Sequence, residues 1–225
     1  MAFLEFRGVS KVYPPGVRAL EDVTFSIGRG EFVFVQGATG AGKTTLFRLI
    51  TREERPTKGE VWFLGRRIDN LDPHFVPFLR QHLGVVFQDL EIVPDWTVYE
   101  HLIAPLSVLG INGREATKTV REMLKILGLE RKSWFCARWL SGGEKQKLCI
   151  GRALIHRPRL VLADEPTGNL DEVSSKSVLQ TLWDFAQREK ATVMVATHSS
   201  ALLGHFPSRV IFLERGRIKE DTKGT

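Results

Sequence analysis

A phosphate-binding loop is indicated by residues 37–44, which read Gly37-Ala38-Thr39-Gly40-Ala41-Gly42-Lys43-Thr44 and match G-x-x-x-x-G-K-[ST] in full. The glycines let successive backbone N–H groups point into one concavity, which suits an anion. We expect Lys43 to reach the β- and γ-phosphates of a nucleoside triphosphate and the Thr44 hydroxyl to bind Mg²⁺. The alternative is a chance glycine turn, which the apolar run before the loop and the helical run after it disfavour.

Two adjacent acids, Asp164 and Glu165, follow the apolar run Leu160–Ala163. In an open α/β sheet, ligands bind outside the carboxyl ends of the strands, and acids placed there are costly to bury unless a cation or water uses them. Asp164 is therefore expected in the Mg²⁺ shell and Glu165 as the general base that polarises the attacking water. A pair of exposed loop acids is the alternative interpretation.

The elements that must position these groups are short buried strands. Three continuous apolar runs, Phe32–Gln36, Leu160–Ala163 and Thr192–Ala196, predict a parallel sheet covered by helices on both faces. Shorter strands are predicted near the start of the chain and after the first helix. These are Phe3–Val9, Asp22–Ile27 and Glu60–Leu64.

Helical periodicity dominates the middle of the chain. Residues Thr45–Ile50 follow the phosphate loop as a helix, and Gly128 is predicted to end another whose apolar face runs from Ala116 to Leu127. Two further apolar faces predict helices at 148–155, before Pro158, and at 178–186.

The overall composition limits the class of protein but does not assign a function. Its 225 residues are 43% hydrophobic, and 32 basic against 26 acidic residues give a net charge of +6. These values suit one soluble domain, and the basic residues are too scattered for the charge alone to select nucleic acid, lipid or a phosphorylated ligand. Cys136 and Cys149 have neither zinc spacing nor a disulfide pattern. The first residues lack a signal pattern and no apolar run approaches about 20 residues, so a cytosolic chain is expected.

The segment Leu140-Ser141-Gly142-Gly143-Glu144, some twenty residues before the acid pair, resembles the signature of ABC transporter ATP-binding subunits, usually L-S-G-G-Q. The resemblance covers nearly the whole chain. It implies an α/β fold: a P-loop NTPase core of the ABC type with an antiparallel β lobe and an inserted α-helical signature lobe. The single ABC ATPase domain would span 1–225, with core and β lobe at 1–88 and 157–225 and the helical lobe at 89–156. Glu144 departs from the usual glutamine, which puts the role of that side chain in doubt.

The resemblance also implies roles for residues outside the first two motifs. Tyr13 matches the aromatic residue that stacks on adenine, unless it is a turn or core tyrosine. Gln88 matches the glutamine that senses Mg²⁺ and the γ-phosphate, and His198 the switch histidine, unless they are a loop amide and a structural histidine. Asn169-Leu170-Asp171 resembles the D-loop at the dimer interface, although Asp171 also fits a helix N-cap.

The implied catalytic set is therefore Lys43, Gln88, Glu165 and His198, and the implied cofactors are ATP and Mg²⁺, with Thr44, Gln88 and Asp164 at the metal. Two copies of the chain are expected to pair, the signature of one covering the nucleotide of the other. The implied nucleotide contacts are Tyr13, the loop Gly37–Thr44, Thr45, the turn Ser141, Gly142, Gly143 and Glu144, and Asp171.

Two stretches are similar to the FtsE subfamily of cell-division ABC ATPases: Arg52–Gly59, which contains Glu-Glu-Arg-Pro, and Val85–Asp89. That resemblance implies an integral membrane partner of the FtsX type, a peripheral position on the cytoplasmic face of the inner membrane, and control of cell-wall hydrolases. The apolar segment Leu90–Trp96 is expected to receive a helix of the partner, unless it packs into the helical lobe. No nucleic acid is expected.

Three other function classes remain open from the residues. An ATPase of a lipoprotein- or macrolide-exporting transporter shares the stretch Ala163–Asp171. Soluble ABC ATPases acting on DNA or ribosomes are disfavoured because the chain has one uninterrupted cassette. A nucleotide-binding scaffold with little turnover is disfavoured by Glu165 and His198.

Overall fold

The computed structural model describes residues 2–168, 170–199 and 203–222 as two sheets with helices around them. The strands are β1 Leu4–Tyr13, β2 Val17–Ile27, β3 Phe32–Gln36, β4 Lys58–Phe63, β5 Arg66–Arg67, β6 Leu83–Val86, β7 Leu160–Asp164, β8 Thr192–Thr197, β9 Arg209–Glu214 and β10 Arg217–Thr222. The α-helices are α1 Lys43–Ile50, α2 Val76–Arg80, α3 Val98–Val108, α4 Gly113–Leu127, α5 Gly142–Leu154 and α6 Glu172–Glu189.

The larger sheet has the order β10-β9-β3-β8-β7-β6, and all neighbouring strands except β10 and β9 run parallel. The residues of β7 and β8 are buried throughout, which explains why their sequences are continuous apolar runs. Because Gln36 pairs with Thr197 and Asp164 pairs with Ala196, the carboxyl ends of β3, β7 and β8 meet at one edge.

The predicted buried strands are confirmed. Phe32–Gln36 is β3 as predicted, and the other two runs each extend one residue further, to Asp164 and Thr197. Both added residues are polar, which is why an apolar pattern stops short of them.

The smaller sheet is antiparallel, with the order β2-β1-β4-β5. The three early strands predicted from sequence correspond to β1, β2 and β4, but Phe3 and Leu64 lie just outside the strands, β1 continues to Tyr13 and β2 begins at Val17. The extra residues pair through their backbones, as Tyr13 does with Val17, and carry no apolar pattern that could predict them. Buried residues of this sheet pack with α1 against one face of the larger sheet.

Helices α3, α4 and α5 lie in the chain between β6 and β7, and their apolar faces join α6 on the other face of the larger sheet. The predicted end of α4 is confirmed, since Gly128 caps it with a left-handed φ of 68°. α5 begins at Gly142, six residues before the predicted apolar run, because a capping box at Ser141 starts it. The hairpin β9–β10 is missing from the sequence-based prediction.

Candidate functional site

The loop at 37–42 ends in the N-terminus of α1, which begins at Lys43. Within the described part of the chain, no side chain caps this helix, and its N-cap Gly42 is left-handed. The first-turn N–H groups are therefore free for an anion, and the helix dipole adds positive potential at the same place. The start of α1 is therefore open to a phosphate and is not closed by a side-chain cap.

Two glycines in the loop are required by the space around them. A Cβ on Gly37 would lie 2.3 Å from the carbonyl oxygen of Leu213. Gly42 has a φ of 109°, and a Cβ there would lie 2.5 Å from the carbonyl oxygen of Ala19. The loop is thus pressed against β9 and β2, and its fixed backbone can present the N–H groups in one direction.

Lys43 is buried and reaches back across the loop that precedes it. Its ammonium donates to the carbonyl oxygens of Gly37 at 2.7 Å and Ala38 at 3.2 Å, and lies 3.2 Å from Glu165 Oε1. The lysine and the acid predicted as general base, far apart in the chain, are therefore an ion pair.

Glu165 also contacts the predicted switch histidine. Its Oε2 lies 2.9 Å from His198 Nδ1 and accepts from the His198 backbone N–H at 3.4 Å. Glu165 follows β7 with a left-handed φ of 47°, which is uncommon for a residue with a side chain and turns the carboxylate toward β8. Lys43, Glu165 and His198 thus form one line of charged and polar groups along the sheet edge.

Asp164 is the last residue of β7 and is buried. Burial raises the pKa of its carboxyl, and the nearby Thr44 hydroxyl and Lys43 ammonium oppose that rise. Its Oδ1 atom is buried and has no hydrogen-bond partner among the described residues. An orphaned carboxylate oxygen beside a threonine hydroxyl is a donor set that Mg²⁺ prefers, so these residues fit the expected ion.

These groups open into a cavity of about 320 Å³. The predicted residues that line it are Thr39, Gly40, Gly42, Lys43, Thr44, Thr45, Gln88, Asp164, Glu165 and His198. Residues 17–19 at the start of β2 and the buried Gln146 of α5 line it as well, and sequence reasoning missed them. No local pattern marks them, because only the packing of β2 and α5 against the loop brings them there.

The signature turn is a closed helix start at α5. The Ser141 hydroxyl accepts from the Glu144 backbone N–H, and Glu144 Oε2 accepts from the Ser141 backbone N–H at 2.9 Å. Lys132 Nζ lies 2.6 Å from Glu144 Oε1. The hydrogen bond from Lys132, with that from Ser141, holds the pKa of Glu144 below its usual range. Glu144 is therefore a charged capping residue with its own counter-ion.

Other predicted residues lie outside the cavity lining. Residues 141–144 and Asp171 are not among its walls. Asp171 caps α6 by accepting from the Ser174 backbone N–H at 2.9 Å, so the N-cap interpretation is confirmed. Asn169 lies outside the described residues.

Tyr13 is also absent from the cavity walls. It is half-buried, with Lys11 Nζ 4.8 Å from the centre of its ring. Its backbone pairs with Val17, which does line the cavity. Its stacking role stays a prediction.

Part of the segment Leu90–Trp96 is packed against the helices, and part of it is exposed. Ile92 packs against the core that includes α3 to α6, whereas Val93 and Trp96 stay exposed. Arg152 of α5 donates to the carbonyl oxygens of Leu90 and Glu91, which ties the start of the segment to the helix behind the signature turn.

A glycine loop at a helix N-terminus, with a buried acid, an adjoining glutamate and a histidine at one sheet edge, defines an ATPase of the P-loop class. Comparison with known proteins agrees. The family model described as ABC transporter matches residues 20–168.

Curated relatives point to one group within this class. The chain is 40% identical to the cell division ATP-binding protein FtsE of Bacillus subtilis (97% of this chain, 95% of the relative). It is 40% identical to FtsE of Escherichia coli strain K12 (96% of both chains). A solved structure of the ATP-binding cassette MJ0796, a dimer bound to ADP and Pi, superposes with a TM-score of 0.88 at 32% identity and 98% coverage of both chains. The chain belongs to the ABC transporter family of ATP-hydrolysing subunits and, within it, to the FtsE cell-division group.

Among the described residues, no helix has the length and apolar character needed to cross a membrane.

Proposed function

We propose that this chain hydrolyses Mg·ATP as the FtsE-type subunit of a membrane complex that acts in cell division. The observation that carries the proposal is the line of Lys43, Glu165 and His198 beside the free N-terminus of α1. The similarity to cell-division ATP-binding proteins of two bacteria supplies the cellular context.

In this proposal, the nucleotide rearranges the charges at the sheet edge. The γ-phosphate competes with Glu165 for the Lys43 ammonium, which then pairs with the phosphates instead of with Glu165. Glu165, still held by His198, is then free to accept a proton from the attacking water. The water oxygen bonds to the γ-phosphorus as the bond to the ADP oxygen breaks, so that the products are ADP and phosphate.

Asp164, Thr44 and Gln88 are the residues that would hold Mg²⁺. When bound, the ion neutralises the negative charge that the phosphates gather during transfer. The chain keeps the Oδ1 atom of Asp164 buried and without a hydrogen-bond partner among the described residues. Mg²⁺ would therefore displace no hydrogen bond when it binds this oxygen.

The signature turn is proposed to act on the nucleotide of a second copy. The solved MJ0796 cassette is a dimer bound to ADP and Pi, which supports pairing in this family. Ser141, Gly142 and Gly143 lie at the N-terminus of α5, where backbone N–H groups and the helix dipole favour an anion. ATP would then bridge two chains, and hydrolysis would remove the γ-phosphate contacts that hold them together.

The membrane subunit, an FtsX-type protein, is proposed to dock beside Leu90–Trp96, which places this chain on the cytoplasmic face of the inner membrane. A groove of about 370 Å³ opens there. Its walls include Glu91, Arg152 and Pro105, so that it joins the segment after Gln88 to helices α3 and α5. A helix of the partner seated in this groove would sense movement at Gln88.

Nucleotide binding is tested by a thermal-shift titration with Mg·ATP. Wild-type protein is expected to gain about 2.7 kcal/mol when ATP is about 100 times its dissociation constant. Lys43→Ala is expected to lose most of that gain because the ammonium is the positive side chain in the loop. Equal shifts in both proteins would overturn the role of Lys43.

Partner docking is tested with Trp96→Glu, which puts a charge on the exposed part of the segment. We expect basal ATPase activity to stay unchanged and co-purification with the membrane subunit to be lost. Ile126→Glu, at an apolar residue of α4 that is exposed to the same degree as Trp96, is the matched control. Complex formation by Trp96→Glu at the wild-type level would remove Trp96 from the interface.

A further inference from the structure

A buried glutamine of α5 lies in the wall of the nucleotide cavity. Gln146 is only 7% exposed, although glutamine is mostly found at protein surfaces. It lines the same cavity as Gln88, Glu165 and Gly168. The helix that starts at the signature turn therefore also contributes a polar residue to the site where the nucleotide of its own chain is expected.

The side-chain amide of Gln146 is not used to hold α5 in place. Glu144, Cys149 and Arg152 of the same helix make side-chain hydrogen bonds within the chain, whereas Gln146 makes none to a described residue. Buried polar side chains usually have a hydrogen-bond partner, because leaving their donors and acceptors unsatisfied is costly. A buried amide at a cavity wall therefore indicates a partner that enters the cavity.

Hydrolysis needs the attacking water to be held in one orientation. A lone pair of the water oxygen points at the γ-phosphorus only when both of its hydrogens are directed away from that atom. Glu165 accepts one of these hydrogens in the proposed reaction, and the second hydrogen still needs an acceptor. Fixing the orientation of a reactant before it reacts is a major source of rate enhancement.

We propose that the side-chain oxygen of Gln146 accepts the second hydrogen of the attacking water. Glu165 takes one proton, and the other hydrogen stays on the oxygen that becomes part of the phosphate, so that Gln146 itself neither gains nor loses a proton. Gln88 is already proposed to contact Mg²⁺. The inference rests on the proposed function, because it adds a second contact to the water that Glu165 activates.

The position of Gln146 along α5 also connects it to the signature turn. Gly142 begins the helix and Gln146 follows four residues later, which is about one turn or about 6 Å along the axis. A movement of the signature turn toward the nucleotide of a second chain would therefore move Gln146 within its own cavity. Orientation of the water would then depend on closure of the dimer.

The first test is Gln146→Met, which keeps the length of the side chain and removes the amide. We expect the maximal rate of ATP hydrolysis to fall about tenfold, with ATP affinity within about twofold of wild type, because the contact is made to the water and not to the nucleotide. The melting temperature should stay at the wild-type value. Phosphate release at saturating Mg·ATP, equilibrium nucleotide binding and a thermal melt measure the three quantities.

The matched control is Gln180→Met on α6, whose amide donates to Asp184 and does not line the cavity. It should hydrolyse ATP at the wild-type rate. A wild-type rate for Gln146→Met would overturn the proposal. A slower rate accompanied by an equal loss of ATP affinity, or by a lower melting temperature, would also overturn it, since those changes mark a structural role.

The second test repeats the substitution in the Glu165→Gln background. Two acceptors of one water act as a unit, so Gln146→Met should lower the residual rate there by less than about threefold. The double variant should still dimerise with Mg·ATP to the same extent as Glu165→Gln. A full tenfold fall in this background, or a loss of dimerisation, would refute the contact alone. Turnover of Glu165→Gln near the wild-type rate would refute the proposed function and this contact with it.

Discussion

The N-termini of α1 and α5 both contain glycine and are both predicted to bind phosphate, yet they differ in how their polar groups are satisfied. At α1, no side chain of the described residues caps the helix, and the side chain of Lys43 folds back over the loop. At α5, Ser141 and Glu144 cap each other and Lys132 neutralises Glu144. The first terminus is open to a ligand, and the second is already closed by its own side chains.

Under the proposed pairing of two chains, this difference would give the two termini different roles on one nucleotide. An open N-terminus with a lysine supplies most of the binding free energy for phosphates. A capped N-terminus keeps its shape without a ligand and offers only the remaining donors, so it suits a second contact that is made and broken in each cycle. Closure of a dimer by the weaker terminus can be reversed when the γ-phosphate leaves.

The largest effect is expected from Glu165→Gln at the open site. The amide keeps the shape of the side chain but cannot accept a proton from water, so ATP hydrolysis should fall by about 100- to 10,000-fold. Mg·ATP affinity should remain, because Lys43 and the loop are unchanged. Phosphate release and equilibrium nucleotide binding measure the two quantities. A turnover rate near that of wild type would remove Glu165 from the chemistry.

A smaller effect is expected from Lys132→Ala at the capped site. Glu144 would then face the triphosphate of the second chain without a counter-ion, and ATP-driven dimerisation should weaken about tenfold, equivalent to about 1.4 kcal/mol. Binding of ATP to a single chain should not change. Lys132→Ala/Glu144→Gln should restore dimerisation, and analytical ultracentrifugation in Mg·ATP measures all three. Without that restoration, Lys132 acts through something other than the charge of Glu144.

The smallest effect concerns stability without nucleotide. Burial raises the pKa of Asp164, so the folded chain binds this proton more tightly than the unfolded chain does. Stability from this group is therefore greatest at low pH and falls as pH rises from about 3.9, the ordinary aspartate pKa, through the raised value. Asp164→Asn should remove that loss and raise the neutral-pH melting temperature, by about 2–4 °C per kcal/mol gained. Mg²⁺ should no longer stabilise the variant. A lower melting temperature at neutral pH would contradict this account of the buried acid.

The local parts of the molecule were predictable from the sequence. Buried strands such as Phe32–Gln36 are continuous apolar runs, and the phosphate loop and the end of α4 at Gly128 are set by residues next to one another. The expectation that Asp164 and Glu165 lie at a strand end follows from the same local pattern, and the structure places them there. The resemblance to the ABC family rested on the segment Leu140–Glu144, and the family model confirms it.

The rest depended on packing between distant segments. The approach of residues 17–19 and Gln146 to the cavity is set by how β2 and α5 lie against the loop. The pairing of Lys132 with Glu144 crosses a turn of irregular structure that no periodicity describes. The exposure of Trp134 and Trp139 contradicts the usual burial of aromatic residues, so no composition rule could have predicted it.

The central claim is that one ATP bridges the open terminus of one chain and the capped terminus of another. Analytical ultracentrifugation of Glu165→Gln with Mg·ATP tests it most directly, with Glu165→Gln/Ser141→Arg as the control that blocks only the capped side. We predict a stable dimer for the single variant and a monomer that still binds ATP for the double variant. A Glu165→Gln protein that stays monomeric at high concentration with ATP bound, or dimers in both variants, would contradict the claim.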